Sequence, residues 1–151
     1  MKDILAKLKE LGLELPAVPA PVASYIPAKR SGNTIYVSGQ LPTKNGVLPT
    51  GHVPTEISAE DAKEAAKNSF LNSLAAAASL LKEGEGLSLV QLQGFVSSTP
   101  DFYEQPAIIN GASDLAMAVL GENGKHARTA VGVPALPKNA VVEIACVFEA
   151  I

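Results

Sequence analysis

The chain has 151 residues, 47% of them hydrophobic, with a mean hydropathy of +0.19, enough for one domain spanning 1–151 with a substantial core. Twelve Lys and Arg against fifteen Asp and Glu leave a net charge of −3, and no segment gathers basic side chains into the stripe that phosphate neutralisation needs, so nucleic acid is not expected as a partner. Cys146 is the single cysteine; it excludes an internal disulfide, and its place in an apolar run marks a small buried hydrophobe rather than a nucleophile.

The alanine-rich run 69–81 is thirteen residues long and interrupted by Asn72, short of the roughly 20 apolar residues of a membrane span. Charges in the first twelve residues alternate with apolar side chains instead of preceding them, unlike a signal peptide. A soluble cytoplasmic protein is expected.

Ile4, Leu5, Leu8 and Leu11 recur at helical spacing and meet Gly12, which predicts a short amphipathic helix as an extension over 1–15, followed by a proline-rich connector. From Val22 to Gln40, strand formers flank Ser31-Gly32-Asn33 and predict a hairpin. Ser58, with Asp61 three residues on, predicts a helix N-terminus, and the helix is expected to run to Gly84 with Ala62, Ala66, Phe70, Leu74, Ala77, Ala78 and Leu81 inward. Residues 87–98 read as a strand that Pro100 breaks. Residues 105–120 read as a helix ended by Gly121, and 127–133 and 140–148 as the last strands.

In the closing strand Val142, Ile144, Cys146 and Phe148 share one face, and Val141, Glu143, Ala145 and Val147 the other, so both faces are largely apolar. Two helices cover one face of a sheet. The other calls for a further copy of the chain, and a homo-oligomer packed sheet against sheet is expected.

No GxxxxGK[ST], GxGxxG or HExxH pattern is present, and His52 and His126 are too isolated for a metal site, so no metal or cofactor is expected. Both histidines read as solvated loop residues. Arg128 stands apart, a guanidinium in a strand of Ala, Thr, Val and Gly, where an anion must offset its desolvation. Ala130 and Gly132 share its face and leave room for a carboxylate to pair with it in bidentate fashion. Glu143 is the other charge in apolar surroundings, on the face that the further copy is expected to cover. An Arg128–Glu143 structural ion pair and a functional site account for the pattern equally well.

Val37-Ser38-Gly39-Gln40-Leu41-Pro42, the run Arg128-Thr-Ala-Val131-Gly-Val133-Pro-Ala-Leu136-Pro137 and Val142-Glu143-Ile144 together resemble the signature of the Rid (YjgF-type) family of imine deaminases, over roughly residues 22–149. The resemblance implies a chorismate-mutase-like α+β fold in β-β-α-β-α-β order, with a mixed sheet, two helices on one face and a homotrimer around a central barrel. It also implies intersubunit pockets that hydrolyse 2-imino and 2-enamino acids to 2-oxo acids and ammonia. Arg128 then holds the substrate carboxylate and Glu143 positions water. Tyr25, Ser38 and Asn110 line the pocket, and Ala130, where relatives often carry cysteine, offers backbone groups. The rival readings are a non-catalytic binder of small carboxylates and, less favoured by the acidic balance, the endoribonuclease activity attached to some relatives. The N-terminal helix and the long 101–127 segment depart from the family pattern.

Overall fold

The computed structural model describes residues 1–18 and 24–151. Its elements run α1 (Lys2–Glu10), β1 (Ala28–Ser31), β2 (Thr34–Gln40), α2 (Ala59–Ala78), β3 (Leu87–Ser97), α3 (Gln105–Leu120), β4 (Ala127–Val133) and β5 (Val142–Ala150). The strands form one mixed sheet in the order β1-β2-β5-β3-β4, antiparallel throughout except for the parallel β3–β4 pair that α3 connects. This is the expected α+β architecture, with β4 and β5 together closing the β-β-α-β-α series.

Local chemistry accounts for most boundaries. Ser58 accepts a hydrogen bond from the Asp61 amide at 3.1 Å and caps α2, a contribution of about 1 kcal/mol. Gly121, at φ +59°, ends α3, and Gly32, at φ +62°, makes the β1–β2 turn. α2 stops at Ala78, short of the expected Gly84. There the Ser79 hydroxyl bonds the Ala76 carbonyl at 2.8 Å, and the Leu80 amide pairs three residues back; both bonds replace the α-helical ladder.

The expected first strand is also shorter. It begins at Ala28, and Tyr25 and Ile26 precede it outside the sheet. Pro27 has no amide hydrogen to give a ladder, and it holds the residue before it away from regular pairing. Val22 lies outside the described residues.

α2 and α3 pack on one face of the sheet, where Ile35, Phe70, Leu74, Leu92, Ile144 and Phe148 are fully buried. Contact is close enough that a Cβ on Gly94 would lie 2.6 Å from Cγ1 of Ile109, so the glycine is what lets α3 sit down on β3. Helix α2 is buried beyond its expected stripe, at Ala65, Ser69, Ser73 and Ala76 too, while Ala78 and Leu81 are half-buried. The Asn72 amide donates to the Leu41 and Thr43 carbonyls at 2.9 and 3.1 Å and pins the chain leaving β2.

Helix α1 buries Ile4 and Leu8 and leaves Leu5 and Leu11 exposed. It packs beside α3 on the helical layer, and its amino terminus donates to the Glu85 carbonyl at 3.0 Å. Cys146 is buried, and burial pushes its thiol up to about 12, in keeping with a packing role. Among the described residues no helix is long and apolar enough to cross a membrane.

The other face of the sheet has no covering element among the described residues. Tyr36, Val90 and Val131 are exposed there, and Phe95, Ala145 and Val147 are half-buried.

Candidate active site

Strand register decides where each charge points. On β5, Ile144 and Cys146 face the helices, so Glu143 faces the uncovered side, in a row with Phe95 of β3 and Val131 of β4. Beyond it, the bulge between Val37 and Gln40 brings Gly39 against the carboxylate. A Cβ on Gly39 would lie 2.9 Å from Cδ of Glu143 and closer still to Oε1. The glycine of the Ser38-Gly39-Gln40 element is thus the seat of the Glu143 side chain. Burial raises the pKa of that carboxyl, and among the described residues no hydrogen bond or opposing charge offsets the effect.

Arg128 points the other way. It pairs with Leu92, whose side chain is buried beneath the helices, and so projects toward α3 from the edge strand β4. Its Nη1 donates to Asn110 Oδ1 at 2.7 Å and Ser113 Oγ at 3.2 Å; these residues lie three apart on one face of α3. Asn110 is therefore brought to Arg128 as its hydrogen-bond partner. Ala130 is half-buried on the same face, and Gly132 makes room for Gln105 and Ser98, since a Cβ there would meet both at 2.6 Å. The structural Arg128–Glu143 ion pair does not form within the chain.

Tyr25 is half-exposed and, with Gly39, Gln40, Asn72 and Lys138, lines a cavity of about 810 Å³ whose far wall is residues 12–17. Ser38 donates its hydroxyl hydrogen to the Ile26 carbonyl at 2.7 Å and its amide to that of Pro27 at 2.9 Å, so it ties the Tyr25 segment to β2. The candidates thus fall into two corners. Tyr25, Ser38 and Glu143 gather around Gly39, and Arg128, Asn110 and Ala130 gather under α3.

Both histidines lie in loops and are partly exposed, but their rings are hydrogen-bonded to the protein rather than left to solvent. The His52 ring bonds Glu56 Oε2 at 2.5 Å through Nδ1 and the Pro134 carbonyl at 2.6 Å through Nε2. His126 bonds the Gly124 carbonyl at 2.6 Å through Nδ1 and Ser113 Oγ at 2.9 Å through Nε2. Sequence reasoning passed over Ser113, although its spacing from Asn110 on a helix was a usable signal.

The family model described as Endoribonuclease L-PSP matches residues 16–150. The chain belongs to this family, that of the YjgF and Rid proteins. Among solved structures, a protein of unknown function from Agrobacterium tumefaciens is 44% identical and superposes with a TM-score of 0.88, over 98% of this chain and 92% of that one. Protein TCP17 of Trypanosoma cruzi is 38% identical over 97% of this chain and 93% of its own length. The 2-iminobutanoate/2-iminopropanoate deaminase of Dermatophagoides farinae is 31% identical over 87% of this chain and 90% of its own. Helix α1 precedes the L-PSP match, whereas the cavity wall at residues 16 and 17 falls within it.

Proposed function

We propose that this L-PSP protein hydrolyses 2-imino and 2-enamino acids to 2-oxo acids and ammonia, without a cofactor, in sites between the subunits of a homotrimer. The observation that carries the reading is Glu143, a carboxylate seated against a glycine on an uncovered sheet face, with its pKa raised by burial alone. A raised pKa makes it a stronger base toward water near neutral pH. The deaminase named among its relatives supports the same chemistry.

In this reading the substrate carboxylate pairs with Arg128, which fixes C2 for attack. Water adds across the C=N bond, its oxygen to C2, while Glu143 takes the water proton and passes it to the nitrogen. The resulting carbinolamine collapses to the C2 carbonyl and releases ammonia. Because Arg128 and Glu143 face opposite sides of one sheet, the ligand must draw them from two chains, and the uncovered apolar face supplies the contact between those chains.

Ammonia release from 2-iminobutanoate generated in situ tests the reading, with Arg128→Ala and Glu143→Gln as controls. Both variants should fold and lose turnover; parental rates in either would refute the mechanism. Calorimetry with 2-oxobutanoate, run in parallel, separates a deaminase from a carboxylate binder that lacks turnover.

A further inference from the structure

We propose that Ser113 and His126 are positioning residues, a hydrogen-bond relay that sets the guanidinium of Arg128 so that its Nε–Nη2 edge meets the ligand carboxylate. The inference rests on the reading of Arg128 as the carboxylate anchor and adds what holds that anchor in place.

The direction of each bond follows from the atoms involved. The Gly124 carbonyl only accepts, so His126 Nδ1 carries a hydrogen. In the neutral ring Nε2 then accepts, and its partner at 2.9 Å is Ser113 Oγ, whose hydrogen is thereby directed to the ring. The lone pairs of Ser113 Oγ are left to face Arg128 Nη1 at 3.2 Å. Asn110 Oδ1 accepts the second Nη1 hydrogen at 2.7 Å.

With both Nη1 hydrogens engaged, the end-on fork formed by Nη1 and Nη2 is closed to a ligand. Among the described residues Nε and Nη2 have no hydrogen-bond partner, and together they form the side-on fork that matches two carboxylate oxygens. An exposed arginine with four rotatable bonds would otherwise lose much of its affinity to disorder. The relay removes that freedom. Its members sit on α3, on the 3-10 turn 121–124 and on β4, with His126 in the two-residue connection between the last two, its ring tied back to Gly124.

The test uses the full-length protein, with 2-oxobutanoate as the calorimetric probe and in-situ 2-iminobutanoate for kinetics. Ser113→Ala should raise Kd and KM about tenfold, the scale of a lost bond to a charged group, with kcat and melting temperature nearly unchanged. Ser113→Thr, which keeps the hydroxyl, should restore both constants to within about threefold. His126→Phe should mimic Ser113→Ala, and the double variant should be no worse than either, because both remove the same bond chain. Parental constants in Ser113→Ala, equal impairment in Ser113→Thr, or a loss confined to kcat would each overturn the proposal. If the parent protein neither binds 2-oxobutanoate nor releases ammonia, the functional reading fails separately. The relay is then decided by the ¹⁵N spectrum of His126 at neutral pH, where Nδ1–H is expected and Nε2–H would overturn it.

Discussion

The Arg128 guanidinium and the Glu143 carboxylate project from opposite faces of the same sheet, Arg128 under α3 and Glu143 onto the side that no element covers among the described residues. In the proposed mechanism a single chain therefore carries two half-sites. Mixed assembly gives the first prediction: Arg128→Ala and Glu143→Gln subunits, each inactive alone, should regain roughly a quarter of parental activity when co-refolded in equal amounts, because one interface in four pairs an intact Arg128 with an intact Glu143. Ammonia release from the mixture measures this. A mixture as inactive as its components would mean that no ligand bridges the two chains.

Gly39→Ala should abolish turnover while leaving the fold intact. The added methyl would occupy the space of the Glu143 carboxylate, 2.9 Å from its Cδ. The side chain can swing away toward the open face, so the cost falls on water positioning rather than on the core. Circular dichroism and a steady-state assay check the two halves of the statement; parental kcat would show that Glu143 acts from some other position.

A strong ion pair lies at the far end of the sheet. Arg30 grips Glu85 with two bonds, at 2.6 and 2.8 Å, and together with the Lys82 amide it lowers the Glu85 carboxyl from its ordinary 4.5 to about 2. A depressed carboxylate stabilises the fold above its unfolded pKa and loses that contribution as pH falls through the folded value. The parent should therefore lose stability between about pH 4.5 and about pH 2, and Glu85→Gln should flatten that limb. Chemical denaturation across the range is the measurement, and an unchanged limb in the variant would contradict it.

His52 gives the opposite slope. The Pro134 carbonyl, and then Glu56, raise its pKa above 6.5, while the bond from His52 lowers Glu56 below 4.5. The raised imidazole contributes fully below its unfolded pKa and is lost as pH rises through the folded one; the carboxylate contributes above 4.5 and is lost as pH falls. The tie between residues 52–56 and Pro134 should be strongest between those bounds. The melting-temperature gap between parent and His52→Ala should peak there and close toward alkaline pH.

Punctuation in the chain made part of this structure readable. Pro100, Gly121 and the β-branched run before Pro134 give β3, α3 and β4 nearly the bounds that spacing predicts. The C-terminal end of α2 and the start of β1 differ from the expectation because a side-chain bond from Ser79 and the missing amide of Pro27, rather than hydrophobic period, terminate them. Alternation revealed which residues of β4 and β5 share a face and put Glu143 on the one away from the helices, but not that Arg128 projects to the opposite side. That depends on the register of β3 with β4 and β5, and a one-residue slip reverses every side chain. The contact of Glu143 with Gly39 and the pairing of Arg30 with Glu85 join distant parts of the chain, and local pattern holds no record of them.

The parallel β3–α3–β4 unit contains Arg128 and every side chain that touches its guanidinium, whereas the seat of Glu143 is assembled from β2 and β5, more than a hundred residues apart in the chain. Under the proposed function, recognition of the acid and activation of water are thus inherited on separate stretches of sequence. On that reading, substitutions within residues 105–133 would redirect what the protein accepts while the half that holds Glu143 stays as it is, which gives a lineage built on this fold a short, self-contained segment in which to change its ligands.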